Sequence, residues 1–104
     1  MELRYSSIKL RKRLESMRNI EKHYGKHARH IMSALNQLQA AKCLEDVPTC
    51  KPLVRHKLHG DYEGCWAVWV SKNYRLVFQP TGDFDVNDLK TITVICILDI
   101  TDYH

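Results

Sequence analysis

The densest group of side chains suited to acid–base or phosphate chemistry lies at residues 55–61, which read Arg-His-Lys-Leu-His-Gly-Asp. On a strand, Arg55, Lys57 and His59 project from one face. His56 and Leu58 then project from the other. One interpretation is an edge strand that charge protects from aggregation. The functional interpretation is a cationic ridge facing phosphates, with His56 either orienting its neighbours or partly buried as a structural residue.

Arg75 is the second candidate, within the segment Asn-Tyr-Arg-Leu-Val-Phe at 73–78. On a strand it shares a face with Asn73, Val77 and Gln79. A lone arginine on a strand is usually solvated or paired with a carboxylate. If other cations share its sheet face, its planar fork can hold two oxygens of a phosphate in the transition state.

The last three residues, Asp102, Tyr103 and His104, form a third candidate group. Chain ends normally fray, which is the ordinary expectation for such residues. Here they follow the strongly apolar segment from Ile92 to Ile100, which we expect to be a strand that holds them in place. They are therefore retained as candidates for acid–base work.

Three further histidines, His23, His27 and His30, have the spacing of one helix face. Gly25 falls between the first two, and no nearby Asp or Glu completes a metal site. We expect a weakly basic surface here and predict neither a metal nor a cofactor. The four cysteines contain no Cys-x-x-Cys pair, so neither a zinc ribbon nor a disulfide scaffold is indicated.

Charge is unevenly distributed along the chain. Residues 1–60 hold 13 Lys/Arg and 5 Asp/Glu, and residues 61–104 hold 3 and 7, which agrees with the totals of 16 and 12. The basic half suits a polyanionic partner, because neutralising phosphates releases counterions. A solvated helix face is the plainer interpretation. The cations of the first helix that would contact such a polyanion are Arg11, Lys12, Arg13 and Arg18.

The elements that position these residues follow from hydrophobic periodicity. A short strand at 1–5 precedes a helix capped at Ser6 or Ser7, with Leu10, Leu14 and Met17 in one stripe. Gly25 breaks the chain, and a second helix runs to about residue 42, with Ala28, Ile31, Leu35 and Leu38 on one face. After Pro48 and Pro52 the pattern predicts strands at 53–58, 65–70, 74–79 and 92–100.

Short links between the strands favour antiparallel neighbours. We therefore predict one α+β domain over residues 1–104, with an N-terminal strand and a helical hairpin packed on a twisted, mainly antiparallel sheet of four to five strands. The sequence shows neither a signal peptide pattern nor an apolar run long enough to span a bilayer. We expect a cytoplasmic protein that does not bind a membrane.

Several segments together resemble the HigB group of the RelE-superfamily toxins, also called plasmid maintenance killer proteins. The resemblance rests on His56-x-x-His59-Gly60-Asp61, Gly64-x-Trp66, the segment 73–78 and the final Asp-Tyr-His, in that order. It covers the whole chain and implies a RelE-like fold.

The resemblance implies the toxin of a type II toxin–antitoxin pair, a ribosome-dependent messenger RNA endoribonuclease that needs no metal. In that family the RNA's own 2′-hydroxyl attacks the adjacent phosphate. A base takes its proton, an acid protonates the leaving 5′-oxygen, and cations hold the developing charge. The matching positions are His56, His59, Arg75, Asp102, Tyr103 and His104.

Within that scheme, Arg75 with Lys57 or Lys72 would clamp the phosphate. Tyr103 and His104 would handle protons or orient the RNA, and Asp102 would fix them. The implied partners are messenger RNA on the 70S ribosome and a helix-turn-helix antitoxin, with operator DNA bound only through the antitoxin.

The sequence departs from the family in two places. His59 stands where members commonly carry lysine, so either Lys57 supplies that charge or His59 serves as a titratable group. Lys72 stands near a position where some members place arginine. A non-catalytic module that binds RNA or the antitoxin is therefore the alternative function. A metal-dependent nuclease is a third, and the lack of a carboxylate cluster argues against it.

Overall fold

A computed structural model describes residues 1–102, which form a five-stranded sheet with three helices. The sheet order is β1-β5-β4-β3-β2, with β1 parallel to β5 and every other neighbour antiparallel. The strands are β1 (Glu2–Tyr5), β2 (His56–Lys57), β3 (Trp66–Trp69), β4 (Tyr74–Pro80) and β5 (Val94–Asp102). The helices are α1 (Ile8–Leu14), α2 (Met17–Tyr24) and α3 (Ala28–Ala40). The predicted α+β architecture is confirmed, and no helix in this part of the chain is long and apolar enough to cross a bilayer.

The first predicted helix is divided into two helices, α1 and α2. The Ser16 hydroxyl accepts a hydrogen bond from the Asn19 amide at 3.2 Å and starts α2. The Asn19 side chain donates to the Lys12 carbonyl at 2.9 Å, near the end of α1. These two bonds satisfy backbone groups that a helix terminus otherwise leaves open. Gly25, at φ 56°, ends α2 as predicted.

One face of the sheet, here called the helix-covered face, carries the main core. Buried side chains of the helices, including Leu14, Ile31 and Leu38, pack with Val68 of β3 and Phe78 of β4. The buried faces of α1 and α3 match the predicted apolar stripes. This packing fixes which side chains of each strand face the helices, and by alternation which face away.

The opposite face, here called the open face, is only partly covered. Leu58, Cys65, Ala67 and Val77 form a small buried cluster there, with Tyr62 packed against it. The segment between β2 and β3 folds over this part of the sheet through a short 3-10 turn at Gly60–Tyr62. The open face therefore has a covered half near this turn and an accessible half toward the β3–β4 turn.

The predicted strand at 53–58 is reduced to His56–Lys57. Pro52 lacks an N–H group, and Val54 adopts φ 47°, a backbone conformation that β-branched residues rarely adopt. The Arg55 amide bonds the Pro48 carbonyl at 2.9 Å, which closes a loop ahead of the strand. Leu53 nevertheless enters the core, because its carbonyl accepts the Trp69 amide and its side chain is 2% exposed.

Candidate active site

Arg75 lies on the accessible half of the open face, next to the β3–β4 turn. One of its terminal nitrogens, Nη1, donates to the carbonyls of Ser71 at 2.8 Å, Lys72 at 3.0 Å and Tyr74 at 3.1 Å. Its Nε and Nη2 donate no hydrogen bond within residues 1–102. One side of the guanidinium thus holds the turn, and the other side can receive an anion.

Trp69 fixes the plane of this guanidinium. The two residues are cross-strand partners, and the Arg75 Cζ atom lies 4.6 Å from the centre of the Trp69 ring. Stacking on an aromatic face is favourable for a guanidinium and restricts its rotation. Partial burial lowers the pKa of Arg75 from its ordinary value, but an arginine remains charged at neutral pH. The result is a permanent, oriented cation at the surface.

His56 also lies on the open face, because its cross-strand partner Ala67 belongs to the open-face cluster. Its Nδ1 lies 2.8 Å from the Val54 carbonyl oxygen. Since a carbonyl only accepts, Nδ1 must carry the hydrogen in this contact. The neutral ring therefore has its lone pair on Nε2, which suits it to accept a proton.

The separation of the two groups follows from the sheet register. Ala67, the partner of His56, pairs with Val77, which is two residues from Arg75 on β4. With strands about 4.8 Å apart and a rise of about 3.4 Å per residue, the two Cα atoms are roughly 12 Å apart. His56 and Arg75 thus project from the same sheet face at this spacing.

Two predicted site residues lie on the other face of the sheet. Lys57 pairs with Trp66, which packs against the helix-covered core, so Lys57 cannot share the sheet face of Arg75. Asp102 pairs with Tyr74, which packs against the same core. The register thus puts Lys57 and Asp102 on the face opposite Arg75, and their predicted parts in phosphate binding and catalysis stay predictions.

Lys72 and His59 are both exposed but lie in different surroundings. Lys72 occupies the β3–β4 turn, and its carbonyl is one of the three acceptors of Arg75. The Lys72 ammonium therefore belongs to the turn that Arg75 binds. His59 precedes the turn at Gly60–Tyr62 and faces Glu63 at 3.9 Å, with 78% of its side chain exposed. Neither position conflicts with the predicted contact to RNA.

The cations of the first helix are separated from Arg75. They lie in the helix layer on the other side of the sheet, where Arg11, Lys12 and Arg18 are exposed. Arg13 is half-buried and hydrogen bonds Tyr24, and its Nε atom is buried with no partner within the described residues. Burial raises the pKa of Tyr24, and Arg13 partly offsets that increase. Arg13 is thus less exposed than the other three cations, and its contact with RNA stays a prediction.

Two other predicted groups, the C-terminal pair and the histidine row, are not part of the arrangement described for Arg75. Tyr103 and His104 lie outside the described residues. His27, in the predicted histidine row, precedes α3 without a side-chain capping bond to the described residues, and its ring lies against Tyr74 with ring centres 4.3 Å apart. Within residues 1–102, no three His, Cys, Asp or Glu side chains come together as metal ligands.

Three groups that shape the site were not predicted from the sequence. Trp69 is the platform for Arg75, the Ser71 carbonyl is its nearest acceptor, and the Val54 carbonyl sets the tautomer of His56. The alternation of β3 does put Trp69 on the face of Ala67, so that signal was present. The two carbonyls belong to turns whose shape no side-chain pattern encodes.

Comparison with known proteins establishes the fold. No protein-family model matches the sequence, and no curated protein sequence matches it significantly. A YoeB/ParE toxin from Agrobacterium tumefaciens superposes with a TM-score of 0.61 at 12% identity, covering all of both chains. A chain of the YoeB–YefM complex from Staphylococcus aureus superposes with a TM-score of 0.57 at 14% identity, covering 100% of this chain and 97% of that one. The RelE-like fold expected from the sequence is confirmed by these two structures.

Proposed function

We propose that this chain is the toxin of a type II toxin–antitoxin pair, and that it cuts messenger RNA on the ribosome without a metal ion. The observation that carries the proposal is the state of Arg75. Its guanidinium is stacked on Trp69 and held by three carbonyls, while its Nε and Nη2 have no acceptor within residues 1–102. A fixed cation of this kind stabilises charge that develops during the reaction at little reorganisation cost.

The reaction divides between His56 and Arg75. His56 Nε2 takes the proton of the RNA 2′-hydroxyl, and the 2′-oxygen attacks the adjacent phosphorus. The bond from phosphorus to the 5′-oxygen breaks, leaving a 2′,3′-cyclic phosphate and a 5′-hydroxyl. Arg75 holds two non-bridging oxygens as their charge rises, and Lys72 adds a second positive charge. The proton for the leaving 5′-oxygen comes from His59 or from the C-terminal Tyr103 and His104.

A partner follows from the same proposal. One structural relative is named as a complex, and the HigB resemblance implies a helix-turn-helix antitoxin that brings operator DNA to the pair. The exposed helix cations Arg11, Lys12 and Arg18 would contact ribosomal RNA. Since they face away from Arg75, ribosome binding and cleavage use different surfaces of the domain.

The second candidate is a non-catalytic module that binds RNA or the antitoxin. The observation favouring it is that Lys57 and Asp102 lie on the helix-covered face, which leaves fewer groups beside Arg75 than the family pattern implies. Such a module would keep the affinity for RNA and lack cleavage.

A cleavage assay separates the two candidates. Purified protein is incubated with a defined message, with and without translating 70S ribosomes, and cuts are mapped by primer extension. We expect cuts only with ribosomes, unaffected by EDTA and lost in Arg75→Ala. Absence of cuts from the correctly folded, unsubstituted protein would favour the binding module.

A further inference from the structure

A second cleft adjoins the Arg75 site and shares its tryptophan. It lies between the start of α3, the loop at Lys51-Pro52 and the β3–β4 turn, with a volume of about 460 Å³. Trp69 and Pro52 give it apolar walls, and His30, Lys51 and Lys72 are exposed at its rim. None of the described residues that line it carries a carboxylate.

We propose that this cleft is a nucleobase subsite, which receives the base of a nucleotide flanking the phosphate held by Arg75. The ligand is RNA, so the inference rests on the proposed function and specifies how its substrate is held. An aromatic side chain bordered by cations is the combination that binds single-stranded nucleic acid, because bases stack on the ring while lysines meet the phosphates.

Continuity with the Arg75 site favours this occupant over an unrelated small molecule. Trp69 supports the guanidinium of Arg75 and also lines the cleft. Ser71 and Lys72 line the cleft through the same turn whose carbonyls Arg75 holds. A chain with one phosphate at Arg75 therefore has its neighbouring nucleotide within reach of Trp69, because both sites are built on one turn.

The subsite also gives Lys51 a role that sequence analysis did not assign. Lys51 is exposed and forms no ion pair within residues 1–102. Lys51 and Lys72 both line the cleft. Two ammonium groups at one cleft, neither in an ion pair within the described chain, suit a phosphodiester, because they can neutralise its charge.

Trp69 fluorescence tests the subsite directly, since the chain has two tryptophans and Trp66→Phe leaves Trp69 as the sole reporter. The probe is a short RNA with every 2′-hydroxyl methylated, which cannot be cleaved. Its control is an abasic chain of equal length and charge. We expect the base-containing probe to quench Trp69 and to bind roughly tenfold more tightly than the abasic chain. Equal quenching and equal affinity would overturn the subsite.

Charge variants give a second, independent test. Lys51→Glu and Lys72→Glu should each weaken binding of the probe by roughly tenfold at low salt. The matched control is Lys42→Glu, because Lys42 is exposed just beyond the far end of α3, roughly 15 Å along the helix axis from His30. An equal effect of Lys42→Glu would show that only total charge matters and would overturn the subsite.

The outcomes separate this inference from the proposed function. Cleavage on ribosomes with no base-dependent quenching would overturn the subsite and leave the nuclease standing. Base-dependent quenching without any cleavage would support the subsite and overturn the nuclease. If Trp66→Phe does not fold, quenching is measured in the unsubstituted chain, where Trp69→Phe should abolish the base-dependent part.

Discussion

Removal of the Arg75 side chain should abolish cleavage while leaving the protein folded. Arg75→Ala loses a cation–π contact worth about 0.5–1 kcal/mol at an accessible site. It also loses the bonds of Nη1, which has two hydrogens for its three carbonyl acceptors and so contributes about 2 kcal/mol net. The expected loss of stability is about 2–3 kcal/mol.

That loss is small against the effect on the reaction. A domain with a free energy of unfolding of only about 5 kcal/mol would still be more than about 95% folded after losing 3 kcal/mol. Unfolding therefore changes the amount of active protein by a few per cent. Loss of a fixed donor to the transition state reduces turnover by about 10²–10³-fold. The loss of turnover is therefore far larger than the loss of folded protein, and the assay can distinguish them.

Arg55→Ala is the matched control for this experiment. Arg55 lies 5.3 Å from the centre of the Trp66 ring and donates through Nε to the Val47 carbonyl at 2.9 Å. Its substitution removes the same type of arginine–tryptophan contact, at a similar stability cost, away from the open face. We expect cleavage per folded molecule to be unchanged in this variant.

The assay is primer extension on ribosome-bound message, with the folded fraction of each variant measured by urea unfolding. Arg75→Lys should retain roughly a tenth of the activity, since a point charge cannot grip the turn and two phosphate oxygens together. Cleavage by Arg75→Ala within threefold of the unsubstituted protein would refute the clamp. An equal loss of cleavage in Arg55→Ala would show that both substitutions act through packing.

Four further changes test other parts of the structure. His56→Gln should reduce cleavage about 10²-fold or more with unchanged RNA binding, because the amide cannot take the 2′-hydroxyl proton; full activity in a single-turnover assay would exclude His56 as the base. Ser16→Ala should lower the free energy of unfolding by about 1 kcal/mol through loss of the α2 cap, measured by urea denaturation; no change would mean that the break between α1 and α2 does not depend on the cap. Val54→Gly should change the free energy of unfolding by no more than about 1 kcal/mol, because glycine adopts φ 47° without strain and this gain offsets the greater entropy of the unfolded chain. A loss above about 2 kcal/mol would show that the packing of the Val54 side chain matters more than the backbone strain. Charge reversal at Arg11 and Arg18 should weaken sedimentation with 70S ribosomes yet leave RNA quenching of Trp69 intact; unchanged sedimentation would leave these cations as a solvated face.

The sequence predicted the local elements and their apolar faces, since both depend on short-range periodicity. The stripes of α1 and α3, the break at Gly25 and the strand-forming segments around β3 and β4 all depend on residues close in the chain. The break at Ser16 was missed because Leu10, Leu14 and Met17 continue one stripe across it. A serine can cap a helix or lie within one, and tertiary packing determines which of the two occurs at Ser16.

The relation between distant segments could not be predicted. The parallel pairing of β1 with β5 joins residues more than 90 positions apart, as in Glu2 with Val94. Whether Lys57 and Arg75 share a face depends on register across two intervening strand pairings. A shift of one residue in any pairing moves a side chain to the other face, so residue types alone left this open.

A bulge in β5 decides which side chains reach the site. Val77 pairs with Asp99 while Phe78 pairs with Ile97, so Leu98 has no partner opposite it. Plain alternation from buried Ile97 would turn Ile100 outward. The extra residue re-phases the strand, so that Ile100 is buried at 6% exposure and Leu98 joins the open-face cluster.

The same bulge places the end of β5 in relation to Arg75. After the re-phasing, Thr101 pairs with Arg75 on the open face and Asp102 pairs with Tyr74 on the helix-covered face. The open-face cluster fills the half of that face beyond the bulge with apolar side chains. The half beside the β3–β4 turn, which holds Arg75 and Trp69, is not filled by this cluster, and His56 lies at the boundary opposite Ala67. The accessible cations of the open face are thus concentrated at the β3–β4 turn by how the rest of the face is packed.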